Sequence, residues 1–361
     1  MDINFGNPYA LSKKEKQEYL LNRLTALTIH HRLECVPYVN MLNNLSFTNE
    51  PISIKDLPYL PVQLFKMLEL KSVPDSKVIK TLTSSGTTSQ KVSKIYLDKE
   101  TSILQTKALV SIVTSFIGKK RLPMLIIDTK EVLKNRTSFS ARGAGILGFS
   151  NFGRNPIYAL DEKMNLDINE VVKFIEENKR VPKLLFGFTY MIWEYFFKYC
   201  KENNIHLDLK DSLLIHGGGW KKLSDEAVDN MEFKLSLEGM FNLSKIHNYY
   251  GMVEQVGSIF MECEHGYFHT PDFADIIIRD PLTLEVLPVG RTGVIQVLST
   301  LPQSYPGHSL LTEDLGMIRG EDNCSCGRFG KYFHVFGRIP KAELRGCSDT
   351  HAFDRLGGVE F

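Results

Sequence analysis

The chain has no excess of charge of either sign. Its 43 Lys and Arg residues face 42 Asp and Glu residues, for a formal net charge of +1. The two signs are mixed along the chain, so nothing points to a nucleic-acid partner. No secretory signal is expected from Met1-Asp-Ile-Asn-Phe5, which lacks a basic start and an apolar core. No apolar run is long enough for a bilayer. The greasiest stretch, Leu184 to Tyr199, carries Glu194 and Lys198 and reads as a buried helix rather than a membrane span. Six cysteines without regular spacing do not make a disulfide framework in a chain of this size. Internal repeats and low-complexity segments are absent too. The expectation is a cytoplasmic protein of two or three subdomains, its 361 residues enough for a large core.

What is present centres on Thr81-Leu-Thr-Ser-Ser-Gly-Thr-Thr-Ser-Gln-Lys91. Seven hydroxyl side chains fall among the nine residues Thr81 to Ser89, bent around Gly86 and followed by Lys91 and Lys94. Val78–Leu82 reads as a strand before it and Lys94–Leu97 as a strand after it. A polar loop with a glycine free to take positive φ turns N–H groups and hydroxyls toward one concave space, a surface suited to phosphate oxygens. The other reading is a solvated hairpin turn. The nucleotide-binding pattern G-x-x-x-x-G-K-[ST] is absent.

The rest reads as alternating helices and strands. Residues 1–50 are expected to be helical, with Ser12 as a cap and an apolar period through Leu24 and Leu27. Pro51, Pro58 and Pro61 punctuate an irregular stretch before a short helix near Val62–Leu70. Asp98 caps a helix to about Ile117 with a stripe of Leu104, Leu109, Ile112 and Phe116. Leu122–Asp128, Lys183–Thr189 and Leu213–His216 are apolar runs suited to a largely parallel sheet, and Asp167 caps a helix through Asn178. Ser138–Gly145 is either a second anion-contacting loop through Arg142 or a closely packed small-residue helix. These alternations argue for an α/β fold with helices on both faces. Ala274–Arg279 and Gly293–Leu298, set off by Asp280-Pro281 and Pro288-Val-Gly290, read as an antiparallel unit beside the first sheet.

Three further stretches carry chemistry. Gly217, Gly218 and Gly219 follow the strand ending at His216, where a flat ligand can touch backbone; a tight turn before a helix capped by Ser224 is the alternative. In Lys245-Ile-His-Asn-Tyr-Tyr-Gly-Met-Val-Glu254 an aromatic pair precedes a carboxylate. Tyr249 and Tyr250 are either stacking faces or core aromatics with a wet hydroxyl, and Glu254 is a hard oxygen donor of the kind Mg²⁺ takes with substrate phosphates. Asp314, ending Leu311-Thr-Glu-Asp314, can accept both hydroxyls of a ribose.

Four segments, Ser84-Ser-Gly-Thr-Thr88, His216-Gly-Gly-Gly219, Tyr250-Gly-Met-Val-Glu254 and Thr312-Glu-Asp314, resemble in order and spacing the acyl-adenylate-forming superfamily. A fifth, Gly337-Arg-Ile-Pro-Lys-Ala-Glu-Leu-Arg-Gly346, resembles its domain-boundary hinge. Together they run over about three-quarters of the chain. Within the superfamily, the short length and the segment from Thr87 to Asp98 look most like LuxE-type acyl-protein synthetases, which activate a fatty acid with ATP, carry it on a cysteine near the C-terminus and pass it to an acyl reductase. The resemblance implies an adenylate-forming domain over 1–336, helical over 1–50 and with a β-rich subdomain over 260–336. A hinge and short tail over 337–361 would follow, with the C-terminal lid absent or vestigial. It implies that Ser84, Ser85, Gly86, Thr87 and Thr88 cradle the ATP phosphates near Lys91 or Lys94. Gly217, Gly218 and Gly219 would pack on adenine, with Tyr250 stacked against it, and Asp314 and Arg338 would fix the ribose. Glu254 would hold Mg²⁺, and the acid's tail would lie among Phe186, Phe188 and Met191. The sequence departs from the superfamily at Ser89, where a glycine is usual. Only 15 residues follow Gly346, too few for the lid and its lysine, so a partner that closes the site is one expectation.

Cys347 follows Arg345-Gly346 in a tail containing Gly357-Gly358. It is either an activated thiolate that accepts the acyl group or an inert thiol. Delivery to coenzyme A or a carrier protein, and a non-catalytic nucleotide-binding subunit, are the rival readings. Cys263, His269, Cys324 and Cys326 would make a Cys₃His tetrahedron for a structural Zn²⁺, similar to segments in phenylacetate-ligase-like members; unliganded thiols are the alternative.

Overall fold

The computed structural model describes residues 3–43, 51–84, 92–133, 138–220 and 227–339, and the alternating pattern resolves there into three sheets. Helix α1 (Lys13–Glu34) starts where expected. The Glu15 carboxylate accepts the Ser12 N–H at 3.0 Å, satisfying a donor that the helix leaves open. Two buried side chains tie α1 to distant loops: Lys16 Nζ donates to Thr270 O at 2.9 Å, and His31 lies 3.2 Å from Pro302 O. Helix α2 (Val36–Asn43), strand β1 (Leu60–Pro61) and the short α3 (Leu64–Met67) follow.

Strands β2 (Lys80–Thr83) and β3 (Lys94–Leu97) pair antiparallel, as their sequence predicts. The helix after them, α4 (Lys99–Ile117), is capped by Asp98, which accepts from Thr101 N–H at 2.8 Å. Its deepest face differs from the expected apolar stripe. Ile112 and Val113 are fully buried, but their companions are Thr101, Gln105, Ala108 and Ser111, while Leu104, Leu109 and Phe116 are only partly covered. The reason is close backbone approach: a Cβ at Gly257 would lie 2.7 Å from Gln105 Cα, and Thr101 Oγ1 accepts from Ser304 N–H at 3.1 Å.

Next come β4 (Leu122–Thr129), β5 (Ser138–Ser140), α5 (Ala141–Ser150), β6 (Gly153–Leu160), α6 (Ile168–Glu177) and β7 (Leu184–Phe188). Strand β5 joins β2 in parallel to complete the three-stranded sheet, and Asp167 caps α6 as expected. The stretch from Leu184 is not a single helix. Its first five residues are a central strand, since Leu184, Leu185 and Phe186 are buried with sheet neighbours on both sides. Helix begins at Thr189 and passes through a π-helical segment, Ile192–Lys198.

Strand β8 (Leu213–Gly217) precedes α7 (Asn230–Phe241). Ser224 lies outside the described residues, and Asp229 is the observed cap, accepting from Glu232 N–H at 2.8 Å. Strands β9 (Lys245–Tyr250) and β10 (Phe260–Met261) complete a six-stranded sheet of order β10-β9-β8-β7-β4-β6, parallel except for β10. Apolar clusters cover both faces. The second six-stranded sheet contains β11 (Phe268–His269), β12 (Ala274–Arg279), β13 (Gly293–Ser299), β14 (Ser309–Glu321) and β15 (Lys331–Arg338). These run antiparallel in the order β11-β15-β14-β13-β12, with β1 alongside β14. Among the described residues no helix is long and apolar enough to cross a membrane.

Candidate active site

The hydroxyl-rich loop leaves β2 and enters β3 through a serine clasp. Ser84 Oγ accepts Ser93 N–H at 2.9 Å, and Ser84 N–H donates to Ser93 O at 3.1 Å. Ser85, Gly86, Thr87, Thr88 and Lys91 lie outside the described residues, so the clasp fixes only where the loop starts and ends. Ser93 is fully buried, and its hydroxyl lies beside Glu254.

Glu254 sits on a 3₁₀ turn, Val253–Gln255, just beyond the carboxyl end of β9, and is 6% exposed. Burial raises its pKa, opposed in part by the Ser93 hydroxyl and by the charges of Lys66 and Arg338. A buried carboxylate whose charge the neighbouring Lys66 and Arg338 only partly favour is a donor suited to a divalent cation.

Asp314 and Arg338 are register partners across β14 and β15. Asp314 stands inside a 13-residue strand, not at the end of one. Burial raises its pKa, while Tyr250 and Arg338 pull it back. The Tyr250 hydroxyl donates to Asp314 Oδ2 at 2.7 Å. Its ring is walled by Phe260, Phe268 and Phe333, with centroids 6.1, 6.4 and 6.4 Å away, so the phenol end is what reaches the crevice. Arg338 acts electrostatically on Tyr250, Asp314 and Glu254 together. Ser84, Glu254, Tyr250, Asp314 and Arg338, spread over about 250 positions of sequence, are thus linked through Ser93, the Arg338 charge and the Tyr250–Asp314 hydrogen bond into one candidate site where the two large sheets meet.

The glycine run follows β8, next to β9 in the sheet. A Cβ on Gly217 would stand 2.5 Å from the Tyr249 ring, and one on Gly218 would stand 3.1 Å from the Phe188 ring. At Gly219 a Cβ would meet nothing within 4 Å. Phe188 also lies against Gly145, and Phe186 stacks on Phe149 at 4.4 Å. Met191 does not join them: it is buried with Leu125 and Ile127 on the other side of the sheet. Arg142 is engaged by the buried Asp128, its Nε donating to Oδ2 at 2.6 Å. That pair, at the start of α5, favours the packed-helix reading of this stretch.

Two residues that the sequence did not single out complete the picture. Ser93 is visible only as a serine flanking the loop. Lys66, on α3, carries no motif, yet its charge reaches Glu254. It lines a cleft of ≈ 450 Å³ together with Phe65, Val92, Tyr96 and the exposed Lys94. Cys347 lies outside the described residues.

A second cluster stands apart. Ligand atoms of Cys263, His269, Cys324 and Cys326 all lie within 4.8 Å of one another, with Cys326 Sγ 3.3 Å from His269 Nε2. Two tight turns present the thiols. Gly266 N–H donates to Cys263 O and Gly327 N–H to Cys324 O, both at 3.0 Å. Gly266 and Gly327 hold φ of +81° and +77°, conformations that side chains disfavour. Burial pushes the Cys263 thiol up to about 12 and the His269 imidazole down to about 4. Three clustered thiols and a neutral ring are the donor set of a tetrahedral Zn²⁺ site, where metal–ligand bonds of about 2.0–2.3 Å place donors roughly 3.3–3.8 Å apart. The residues fit the ion.

Comparison with known proteins gives the family and the fold. The profile of the family described as "Acyl-protein synthetase, LuxE" matches residues 2–353. Two curated relatives are named long-chain-fatty-acid–luciferin-component ligase. The Vibrio harveyi protein is 22% identical over 354 residues, 96% of this chain and 90% of the relative. The Aliivibrio fischeri protein is 25% identical over 293 residues, 78% and 74% of the two chains. Among solved structures, a 2-hydroxyisobutyryl-CoA ligase in complex with 2-HIB-AMP superposes with a TM-score of 0.71 at 16% identity. The match covers 91% of this chain and 69% of that one, and at that identity it speaks for a shared fold.

Proposed function

This chain belongs to the LuxE family of acyl-protein synthetases, and we propose that it joins a carboxylic acid, most simply a long-chain fatty acid, to AMP and then to a thiol. The observation that carries this reading is the convergence of Tyr250, Asp314, Arg338 and Glu254 beside the Ser84–Ser93 clasp. The names of the two curated relatives support a long-chain fatty acid as the substrate.

In this reading Asp314 and Arg338 position the ribose, and Tyr250 orients the Asp314 carboxylate. The loop from Ser84 to Thr88 receives the phosphates, and Gly217, Gly218 and Gly219 border the base. Glu254 would hold Mg²⁺, which when bound neutralises phosphate charge. A carboxylate oxygen of the acid attacks the α-phosphorus, the bond to the β-phosphate oxygen breaks, and pyrophosphate leaves. Aligning the two anions and stabilising the charge between them is what the crevice contributes. The Cys347 thiolate then attacks the acyl carbon, AMP departs, and the thioester passes to a partner acyl reductase. Residues 337–346 act as the hinge between residues 1–336 and the segment that carries Cys347. Cys263, His269, Cys324 and Cys326 would hold a structural Zn²⁺ that pins β11 to the β14–β15 turn.

The test is a pyrophosphate-exchange screen over fatty, aryl and short hydroxy acids. Acid-dependent exchange, lost in Glu254→Ala, is expected, and no exchange with any acid would refute the adenylation. Labelled acid should remain on the denatured protein and vanish in Cys347→Ser. Label retained by that variant would remove the cysteine from the route.

A further inference from the structure

Cys263, His269 and Cys324 are buried, and Cys326 is partly so. Part of their cover is the start of the chain, which the adenylation chemistry does not use. Tyr9 is 5% exposed, and its ring meets the His269 ring edge-on with centroids 6.2 Å apart. Phe329 N–H donates to Tyr9 O at 3.4 Å, and the Asp272 carboxylate accepts the N–H groups of Ala10 and Leu11, both at 3.2 Å. Among the described residues the buried Tyr9 hydroxyl has no hydrogen-bond partner, an unused donor within electrostatic reach of Cys263 and Cys326.

Three thiolates and a neutral imidazole around one Zn²⁺ carry a single net negative charge. Under such a cover that charge is costly unless it is paired. The cations around the cluster are not equivalent. Lys16 acts on His269 but is committed to Thr270, its Nζ lying 2.9 Å from the carbonyl oxygen and 2.8 Å from the hydroxyl. Glu264 and His265, which also act on His269, are exposed. Arg328 touches the cluster itself: its guanidinium hydrogen-bonds the Cys326 sulfur. The guanidinium carbon stands 3.9 Å from the centroid of the Phe116 ring, near the end of α4, a stacking that fixes the plane of the fork. On its outer side Nη1 reaches the 57%-exposed Glu264 carboxylate at 3.4 Å, a pair that water screens.

We infer that Arg328 is the charge partner of the metal–thiolate group, a positioning residue that holds the Cys326 sulfur for Zn²⁺ and offsets the negative charge of the filled site. This assignment rests on the zinc reading of the four ligands and takes nothing from the adenylation chemistry. A surface ion pair with Glu264 alone accounts for neither the contact with Cys326 nor the stacking on Phe116. Arginine suits the task because its charge is permanent and its fork serves the sulfur on one edge and the carboxylate on another.

The test loads metal-free, full-length protein with Zn²⁺ or Co²⁺ in competition with a chromophoric chelator. Arg328→Met is expected to weaken Zn²⁺ binding roughly tenfold or more, the usual effect of removing a group that supports metal ligands. The Co²⁺ absorption bands of a tetrahedron with three thiolates and one imidazole should stay where they are, because the ligands are unchanged. Arg328→Lys keeps the charge and should recover part of the loss, while Glu264→Gln should stay within about threefold of the parent. Melting of the metal-free proteins is compared alongside, and the Co²⁺ bands report the ligand geometry of any variant that melts lower. Zn²⁺ affinity unchanged in Arg328→Met, or lost equally in the lysine and methionine variants, would overturn the assignment and leave the zinc site standing. A loss in Glu264→Gln as large as that in Arg328→Met would do the same, reducing the arginine to a surface pair. No Zn²⁺ bound by the parent would remove the zinc reading and the assignment together.

Discussion

Replacing Tyr250 by Phe removes one oxygen and leaves the ring among Phe260, Phe268 and Phe333 undisturbed. What is lost is the 2.7 Å hydrogen bond to Asp314. A hydrogen bond to an ionised group contributes about 1.5–3 kcal/mol. Asp314 is only partly buried and water screens part of the effect, so about 1–2 kcal/mol is the reasonable range. At about 2.1 cal/mol/K of unfolding entropy per residue over 361 residues, that lowers Tm by roughly 1–3 °C at neutral pH. The pH dependence has a definite sign. Burial raises the Asp314 pKa and the phenol pulls it down, so the phenol stabilises only the charged form. The penalty of Tyr250→Phe should be full above the folded pKa of Asp314 and fade as pH falls through it, with the carboxyl becoming neutral. Thermal melts of Tyr250→Phe, Asp314→Asn and the double variant, run from neutral pH into the acid range, form the required cycle. A coupling below about 0.5 kcal/mol is what independent sites show. Such a value at neutral pH, or a penalty that grows as pH falls, would refute the idea that the tyrosine holds a charged carboxylate ready for ligand.

Glu254→Gln is expected to trade activity for stability. Because burial raises the Glu254 pKa, its charge costs folding energy above the folded pKa and that cost is relieved as pH falls through it. Melts should therefore show the variant gaining at pH 7–8 and losing that gain in acid, while exchange assays show it inactive; a variant less stable at neutral pH would contradict the sign. For the cysteine cluster, metal analysis of the purified protein should return about one zinc per chain, and Cys324→Ser should lose the ion and melt several degrees lower. Metal-free protein isolated from zinc-supplemented growth, with chelator-insensitive melting, would leave these residues as unliganded thiols.

The fold was largely readable because its signals are local. Asp98 and Asp167 cap the helices they were expected to cap, and the apolar runs at Leu122 and Leu213 each pair in parallel with the strand at Leu184 between them. Where reading failed, the deciding contact lay far away in sequence. The buried face of α4 includes Gln105 and Thr101 because Gly257 and Ser304 come up against it, and no periodicity within the helix encodes that. Met191 lies three residues beyond a strand with Phe186 and Phe188, yet the change from strand to helix carries it to the opposite layer. The site divides in the same way. Tyr250, Glu254 and Asp314 stand in short patterned segments that a sequence can single out as candidates, whereas Ser93 and Lys66 come near Glu254 through position alone. Lys66 in particular is one of 43 basic residues, and only the packing of α3 beside β3 sets it apart.

That dependence on packing has a consequence for how the crevice is kept in shape. Its residues come from both large sheets: Tyr250 from β9, Asp314 and Arg338 from β14 and β15. The segment just after β9 is held to the second sheet by buried polar bonds. Gln255 Nε2 donates to Gly307 O at 2.8 Å and to Val297 O at 3.2 Å, and Ser258 and Ser299 share a hydrogen bond of 2.5 Å. Apolar contacts alone tolerate sliding, whereas a buried NH₂ group matched to two carbonyls has one arrangement that satisfies both its hydrogens, and leaving it costs about 1–3 kcal/mol for each unpaired group. Glu254 is the residue immediately before Gln255, so the bonds that fix the seam also fix the carboxylate. The Tyr250–Asp314 hydrogen bond joins the same two sheets. A substitution at Gln255 should therefore act on catalysis through geometry, without touching substrate, and the two ends of the crevice should shift together.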